Sequence, residues 1–262
     1  MKIGIAISTF TEEKTDNERY QIIDRSFQSL KDYVANSKLN LYIVIVVDGI
    51  IPVKHQTIIS KYDFNVYHRD KNGGVARTKN TSIRLILEQN CYIGFLMDDD
   101  VLYKPECFEK YIDAMLNGNI HHMAYCHMPP IVHPKNEWDK FGYIETHINN
   151  YPLMKHGGGG VGCLLSFTPR LIKKIGYFKV MSGKYGYEHI NFTKRAIFHN
   201  VIPFASDIIN SINYIDHIGF EPISYNNFKK CHSISEDYRK SENAKNRKEW
   251  QLNLDKYVEC IE

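Results

Sequence analysis

Leu41-Tyr42-Ile43-Val44-Ile45-Val46-Val47 is an unbroken apolar run, rich in β-branched residues and closed by Asp48-Gly49. A strand with one wet face alternates apolar and polar residues. A strand covered on both faces does not, and that second pattern is the one seen here. The surrounding chain repeats a matching theme. Residues 3–9 predict a first strand, and residues 17–36 a helix with Ile22, Ile23, Phe27, Leu30 and Val34 at helical spacing. A short helix is expected over 53–61 and a strand over 64–67. Gly73-Gly74 opens a helix from Val75 to Glu88, strand 92–97 follows, and Pro105 suits the first position of a helix over 105–116. Strand and helix alternating in this way predict an α/β fold, a mostly parallel sheet with helices on both faces. Ligands of such sheets bind beyond the carboxyl ends of strands. Thr9, Asp48, Asp70 and Asp98 to Asp100 all fall at such ends.

The most pointed of these is Asp98-Asp99-Asp100, directly after the apolar strand Tyr92 to Met97. Three adjacent carboxylates repel one another, and nothing in core formation asks for them. A divalent cation does, because carboxylate oxygens are hard ligands suited to Mg²⁺ or Mn²⁺. A solvated turn or a helix N-cap is the other reading of such a run. Asn72-Gly73-Gly74 leads into a helix whose start holds Arg77 and Lys79. Free N–H groups at a helix start attract anions, and two cations reinforce them.

Beyond residue 117 the alternation stops. Residues 128–156, with Pro129, Pro130, Pro134, Pro152 and Trp138, read as a long irregular segment of functional use. Gly157 to Gly160 with Gly162 precedes a strand expected over 161–167, so it is no dinucleotide fingerprint, whose glycines follow a strand. Helices are expected over 169–175 and 187–199 and a strand over 212–216. The tail from Ser233 reads as a charged helix, with Trp250, Leu254, Tyr257, Val258 and Ile261 on one face suited to docking or oligomer formation. Its lysines and arginines interleave with acids, which fits a solvated helix. The expected division is a main domain over 1–227, with halves of about 1–117 and 118–227, and a helical C-terminal extension over 228–262.

A net charge of +3 gives no whole-chain case for nucleic-acid binding. The six cysteines include no Cys-x-x-Cys pair and read as buried thiols of a reducing compartment. No run is long enough for a transmembrane segment, and Met1 to Ile7 is too short for a signal sequence. The expected location is cytoplasmic, with attachment to a membrane surface left open.

The order of these parts resembles the GT-A glycosyltransferases of the family 2 type. The matching pieces are Ile5 to Phe10, Val46-Val47-Asp48-Gly49, Asn72 to Asn80, Phe95 to Asp100 and Lys184 to Phe192. The resemblance implies a GT-A (Rossmann-like) fold and metal-dependent transfer of a sugar from a nucleotide-sugar donor to a hydroxyl of a glycan or glycoconjugate acceptor. A hexosyl or N-acetylhexosaminyl group from a UDP-sugar is expected, with Mn²⁺ or Mg²⁺ as cofactor. It implies that Asp98 and Asp100 are the Asp-x-Asp pair, Asp100 on the metal and Asp98 near ribose or metal, with Asp99 the extra member beside them. Asp48 would read the nucleobase with Thr9 next to it, and Asp70, Arg77 and Lys79 would help hold the nucleotide or diphosphate. His217 would be a third metal ligand, with His232 in reserve. Glu188-His189 stands where many inverting relatives have Glu-Asp, the aspartate acting as general base. Here either Glu188 or His189 takes the proton, Glu188 being favoured, and the departure leaves inversion, the expected course, open to question. Two other readings stand beside this one. A nucleotidyltransferase would carry a glycine-rich loop after the first strand, where Ser8 to Glu13 has none. A non-catalytic nucleotide- or carbohydrate-binding module would keep the pocket without turnover.

Overall fold

A computed structural model describes residues 1–126, 144–156, 162–180 and 188–218. In chain order the elements are β1 (Lys2–Thr9), α1 (Asn17–Asn36), β2 (Asn40–Val47), α2 (Val53–Ile59), β3 (Asn65–His68), α3 (Val75–Glu88), β4 (Ile93–Asp98), β5 (Val101–Tyr103) and α4 (Cys107–Asn117). Then follow β6 (His122–Ala124), β7 (Ile144–Ile148), β8 (Tyr151–Lys155), β9 (Leu164–Phe167), α5 (Pro169–Ile175), α6 (Glu188–Phe198), β10 (Ser206–Asp207) and β11 (Ile215–His217). The main sheet has the order β3-β2-β1-β4-β9-β6. Its first four strands are parallel, and β9 runs antiparallel to both β4 and β6. The fold is therefore α/β with a mostly parallel sheet.

Both faces of that sheet are covered, which is why β2 shows no polar alternation. Ile3, Ile5 and Ile7 of β1 join Phe27, Leu30, Phe95 and Phe108 in one core. Ala6, Val44 and Val46 join Ile83, Ile86, Leu171 and Phe192 in the other. Successive strand residues point to opposite faces, so one strand feeds two cores. Phe95 is wholly buried, with its ring centroid 4.8 Å from that of Phe108 and 6.2 Å from that of Tyr111. Gly94, its neighbour on β4, lies opposite Phe167 of β9, and a Cβ there would come within 2.3 Å of that ring.

Local capping explains several boundaries. Asp16 accepts a hydrogen bond from Arg19 N at the start of α1, and Thr168 caps α5 just before Pro169. Other boundaries differ from expectation. The helix expected from Pro105 begins at Cys107, because Glu106 adopts a left-handed conformation (φ 63°) after the extra strand β5. The segment read as irregular contains the hairpin β7–β8, turned by Asn149 and Asn150 with φ of 48° and 66°. Asparagine tolerates the positive φ that a two-residue hairpin loop requires. The strand expected over 212–216 is a 3₁₀ turn, Ser211–Asn213, followed by β11.

The helical extension over 228–262, His232, the glycines 157–160 and residues 184–187 lie outside the described residues. Among the described residues no helix is long and apolar enough to cross a membrane. Cys91, Cys107, Cys126 and Cys163 are buried free thiols.

Candidate active site

The carboxyl ends of β1, β2 and β4 open into a cavity of about 730 Å³. Thr9, Thr11, Arg19, Asp48, Gly74 and Asp98 to Asp100 are among the residues that line it. The sheet order forces this convergence, since β1 lies between β2 and β4 with all three parallel.

Each carboxylate of the acidic run meets a basic side chain of the protein. Asp98 Oδ1 accepts from Lys79 Nζ at 2.8 Å. Asp99 accepts hydrogen bonds from Thr9 Oγ1 and Arg19 Nη2. Asp100 has Arg19 Nη1 at 3.7 Å and His217 Nε2 at 3.2 Å. His217 arrives because β11 pairs antiparallel with β5, placing His217 opposite Val101, next to the acidic run. Burial alone would lower the His217 pKa, but pairing with Asp100 outweighs it and raises it. Burial pushes Asp99 upward despite Arg19 beside it, whereas His217 and Arg19 overcome burial at Asp100 and hold it low.

Several residues chosen from sequence sit differently from their expected roles. Lys79 has no exposure; its ammonium lies beneath the cavity, between Asp98 and the Gly162 carbonyl oxygen, which it also meets at 2.8 Å. Its place in the first turns of α3 suggested a diphosphate contact, but the helix turns it toward the core. Asp70 is exposed, and neither it nor Arg77 lines the cavity. Asp48 is buried, and its carboxylate is engaged by the protein: it accepts from Arg69 Nε (3.0 Å), Gly73 N (3.0 Å) and Gly74 N (2.8 Å). Gly74, the N-cap of α3, has no side chain to offer, and its N–H is shared between Asp48 and Asn72 Oδ1 (3.1 Å), so Asp48 helps cap the helix from the end of β2. Gly74 permits this with φ of 83°. Asp48 thus holds the glycine turn that leads into this helix start.

Beneath the cavity floor lies His55 of α2, fully buried. Its Nε2 is 2.9 Å from Thr9 Oγ1 and its Nδ1 is 2.8 Å from Thr11 Oγ1. Thr9 gives its only proton to Asp99, so it must accept from His55 Nε2–H, and Nδ1 then accepts from Thr11. Burial, aided by the charge of Arg19, pushes His55 down to about 4 and keeps it neutral.

Glu188 and His189 open α6 and face each other, Glu188 Oε1 to His189 Nε2, at 3.0 Å. Burial works against the Glu188 carboxylate, yet His189 and, more weakly, Lys79 hold it down at about 2. His189 packs against Gly162, where a Cβ would lie 1.9 Å from Nε2. His189 Nδ1 is buried with no hydrogen-bond partner among the described residues. Neither residue lines the cavity, but Lys79 and Gly162 join the two regions.

Sequence reading missed Arg19, His55, Thr11 and Arg69. Arg19 and His55 sit on helices, away from the strand ends that drew attention. Thr11 and Arg69 lay close to chosen residues but in no motif.

Among the described residues no three His, Cys, Asp or Glu side chains form a metal cage. Asp98 and Asp100 still present hard oxygens to the cavity, and among the described residues none gives Asp100 Oδ1 a hydrogen bond of good geometry. That set fits a cation whose remaining ligands come from phosphate.

Comparison with known proteins agrees with this architecture. The sequence model described as Glycosyl transferase family 2 matches residues 5–174. An uncharacterized glycosyltransferase of Acanthamoeba polyphaga mimivirus is 36% identical over 267 residues, covering 100% of this chain and 96% of the relative. A dolichol-phosphate mannosyltransferase of Pyrococcus furiosus is 30% identical over 123 residues, 45% of this chain and 31% of that protein. Among solved structures, TarS of S. aureus in complex with UDP-GlcNAc superposes with a TM-score of 0.55 at 15% identity, over 88% of this chain and 64% of that one. The mannosyltransferase PcManGT of Pyrobaculum calidifontis, in complex with GDP-Man and Mn²⁺, superposes with a TM-score of 0.52 at 12% identity, over 75% and 52%. The chain thus spans between about half and two thirds of those structures' length.

Proposed function

The chain belongs to glycosyl transferase family 2, and from that premise we propose that it transfers a sugar from a nucleotide-sugar donor, UDP-linked in this reading, to a hydroxyl of a glycan or glycoconjugate. The observation that carries the proposal is the convergence of Thr9, Asp48, Asp98 and Asp100 on one cavity at the carboxyl ends of three parallel strands. The solved neighbours with bound GDP-Man or UDP-GlcNAc lend support through the fold they share.

In this reading the nucleotide lies over Thr9 and Asp48. Arg69 and the glycine turn fix the Asp48 carboxylate, so the floor is rigid before the donor arrives. Asp98 and Asp100 would hold a divalent ion, with His217 steadying Asp100. Such an ion, when bound, offsets charge on the departing diphosphate. Residues 1–117 serve the donor and residues 118–227 the acceptor. His189, the more exposed side chain of the two, is the better-placed base in this reading, with Glu188 3.0 Å from its Nε2 to stabilise the imidazolium that forms.

The test is a thermal-shift screen of UDP- and GDP-sugars with and without Mn²⁺. A Mn²⁺-dependent rise in Tm with a UDP-sugar, lost in Asp100→Ala, is expected. No shift with any nucleotide sugar would overturn the reading, and donor binding without hydrolysis or transfer would favour the non-catalytic module.

A further inference from the structure

We propose that Arg19 is the resident counter-cation of the donor site, and that a divalent ion must displace it to reach Asp100; the inference rests on the donor-site reading above. Three basic side chains serve the acidic run, and two of them are fixed. Lys79 has no exposure and is tied to both Asp98 and Gly162 O. His217 is held by the pairing of β11 with β5. Arg19 is different. It stands at the start of α1, its side chain is 30% exposed, and it lines the cavity while bridging Asp99 and Asp100.

A dication seated on Asp100 with the guanidinium still in place would meet a like charge a few ångströms away, and that repulsion is severe where water is partly excluded. A diphosphate changes the balance. It offers the guanidinium a second anionic partner whose geometry suits its planar fork, and a long, partly exposed side chain can turn toward it. Arg19 leaving Asp100 for phosphate uncovers the carboxylate as the nucleotide arrives. Metal and nucleotide then bind with positive coupling, each promoting the other by the same factor. Without nucleotide, Arg19 keeps the metal affinity low.

The experiment titrates the full chain with Mn²⁺ alone, following the free-ion electron paramagnetic resonance signal, for the wild type, Arg19→Gln and Arg19→Lys. Arg19→Gln is expected to tighten Mn²⁺ binding at least about tenfold, with Arg19→Lys staying near the wild type because the charge remains. Equal affinities in the wild type and Arg19→Gln, or equal tightening in Arg19→Lys, would overturn the competition. Should Arg19→Gln fail to fold, Arg19→Met is titrated with Mn²⁺ in the same way, and an affinity equal to that of the wild type overturns the inference. The nucleotide-free titration reads Arg19 alone, whereas nucleotide-sugar binding is read by thermal shift, so the two proposals fail separately.

Discussion

The Lys79 ammonium lies 2.8 Å from Asp98 Oδ1 although the lysine side chain has no contact with solvent. Its other oxygen partner is the Gly162 carbonyl, so it joins the strand end carrying the acidic run to the glycine against which His189 packs. Removing the charge leaves Asp98 without its partner and the Gly162 carbonyl without its donor. Lys79→Met should cost about 3 kcal/mol, the low end for a broken buried pair because Asp98 is 34% exposed. Urea unfolding measures it, and adding Asp98→Asn should recover part of the loss. An unchanged midpoint in Lys79→Met would show that the pair contributes nothing.

His55 sets Thr9 and Thr11 through both ring nitrogens. At pH 6 its imidazole should be neutral with the proton on Nε2, read from nitrogen-15 chemical shifts, since burial lowers its pKa to about 4. His55→Phe keeps the ring volume roughly but withdraws the hydrogen bonds, so donor affinity should weaken about tenfold. A doubly protonated ring at pH 6 would contradict the network.

Gly162→Ala would place a Cβ 1.9 Å from His189 Nε2. The ring has to move, and with it goes the 3.0 Å contact to Glu188. In the proposed mechanism, transfer should fall at least about a hundredfold while donor binding stays within about threefold. Equal losses in both would place the damage in the cavity instead.

Three buried histidines make stability depend on acid. His55, His122 and His156 are each pushed down to about 4, chiefly by burial. The folded values lie below the unfolded value of 6.5, so between about 6.5 and 4 the unfolded chain binds more protons and stability falls as pH falls. By pH 5 each histidine should cost on the order of 2 kcal/mol. Asp207, which burial raises to about 6, works the other way and offsets nearly one proton at pH 5, so the slope of unfolding free energy against pH near 5 should correspond to about two protons. A slope below one proton would mean the three rings are solvated.

Much of this was legible in the sequence, for definite reasons. The two-sided burial of β2 shows in residues 41–47, and parallel order follows from alternation. Strand ends carrying Thr9, Asp48 and Asp98 to Asp100 are visible once strands are placed, because a parallel sheet sends them all to one edge. Side-chain direction on a helix was not legible. Arg77 and Lys79 look alike as basic residues near a helix start, yet Lys79 enters the core and Arg77 does not line the cavity. Nor was the partner of a carboxylate: Asp48 turned out to cap α3, and Asp99 to hold Arg19 and Thr9, because such pairings depend on tertiary distance. Asn149-Asn150 was a readable hairpin signal, hidden by the prolines around it.

The missing side chain at Gly94 has a further consequence. Phe167 fills that space, so β9 can lie against β4 in only one alignment; sliding by one residue would drive the ring into Ile93 or Phe95. The same alignment brings Cys163 O to Asp98 N at 3.1 Å and sets Gly162 beside the acidic run. An absent methyl group deep in the sheet thereby fixes, several residues away, the spacing between the edge that would grip the leaving group and the imidazole that would activate the incoming alcohol.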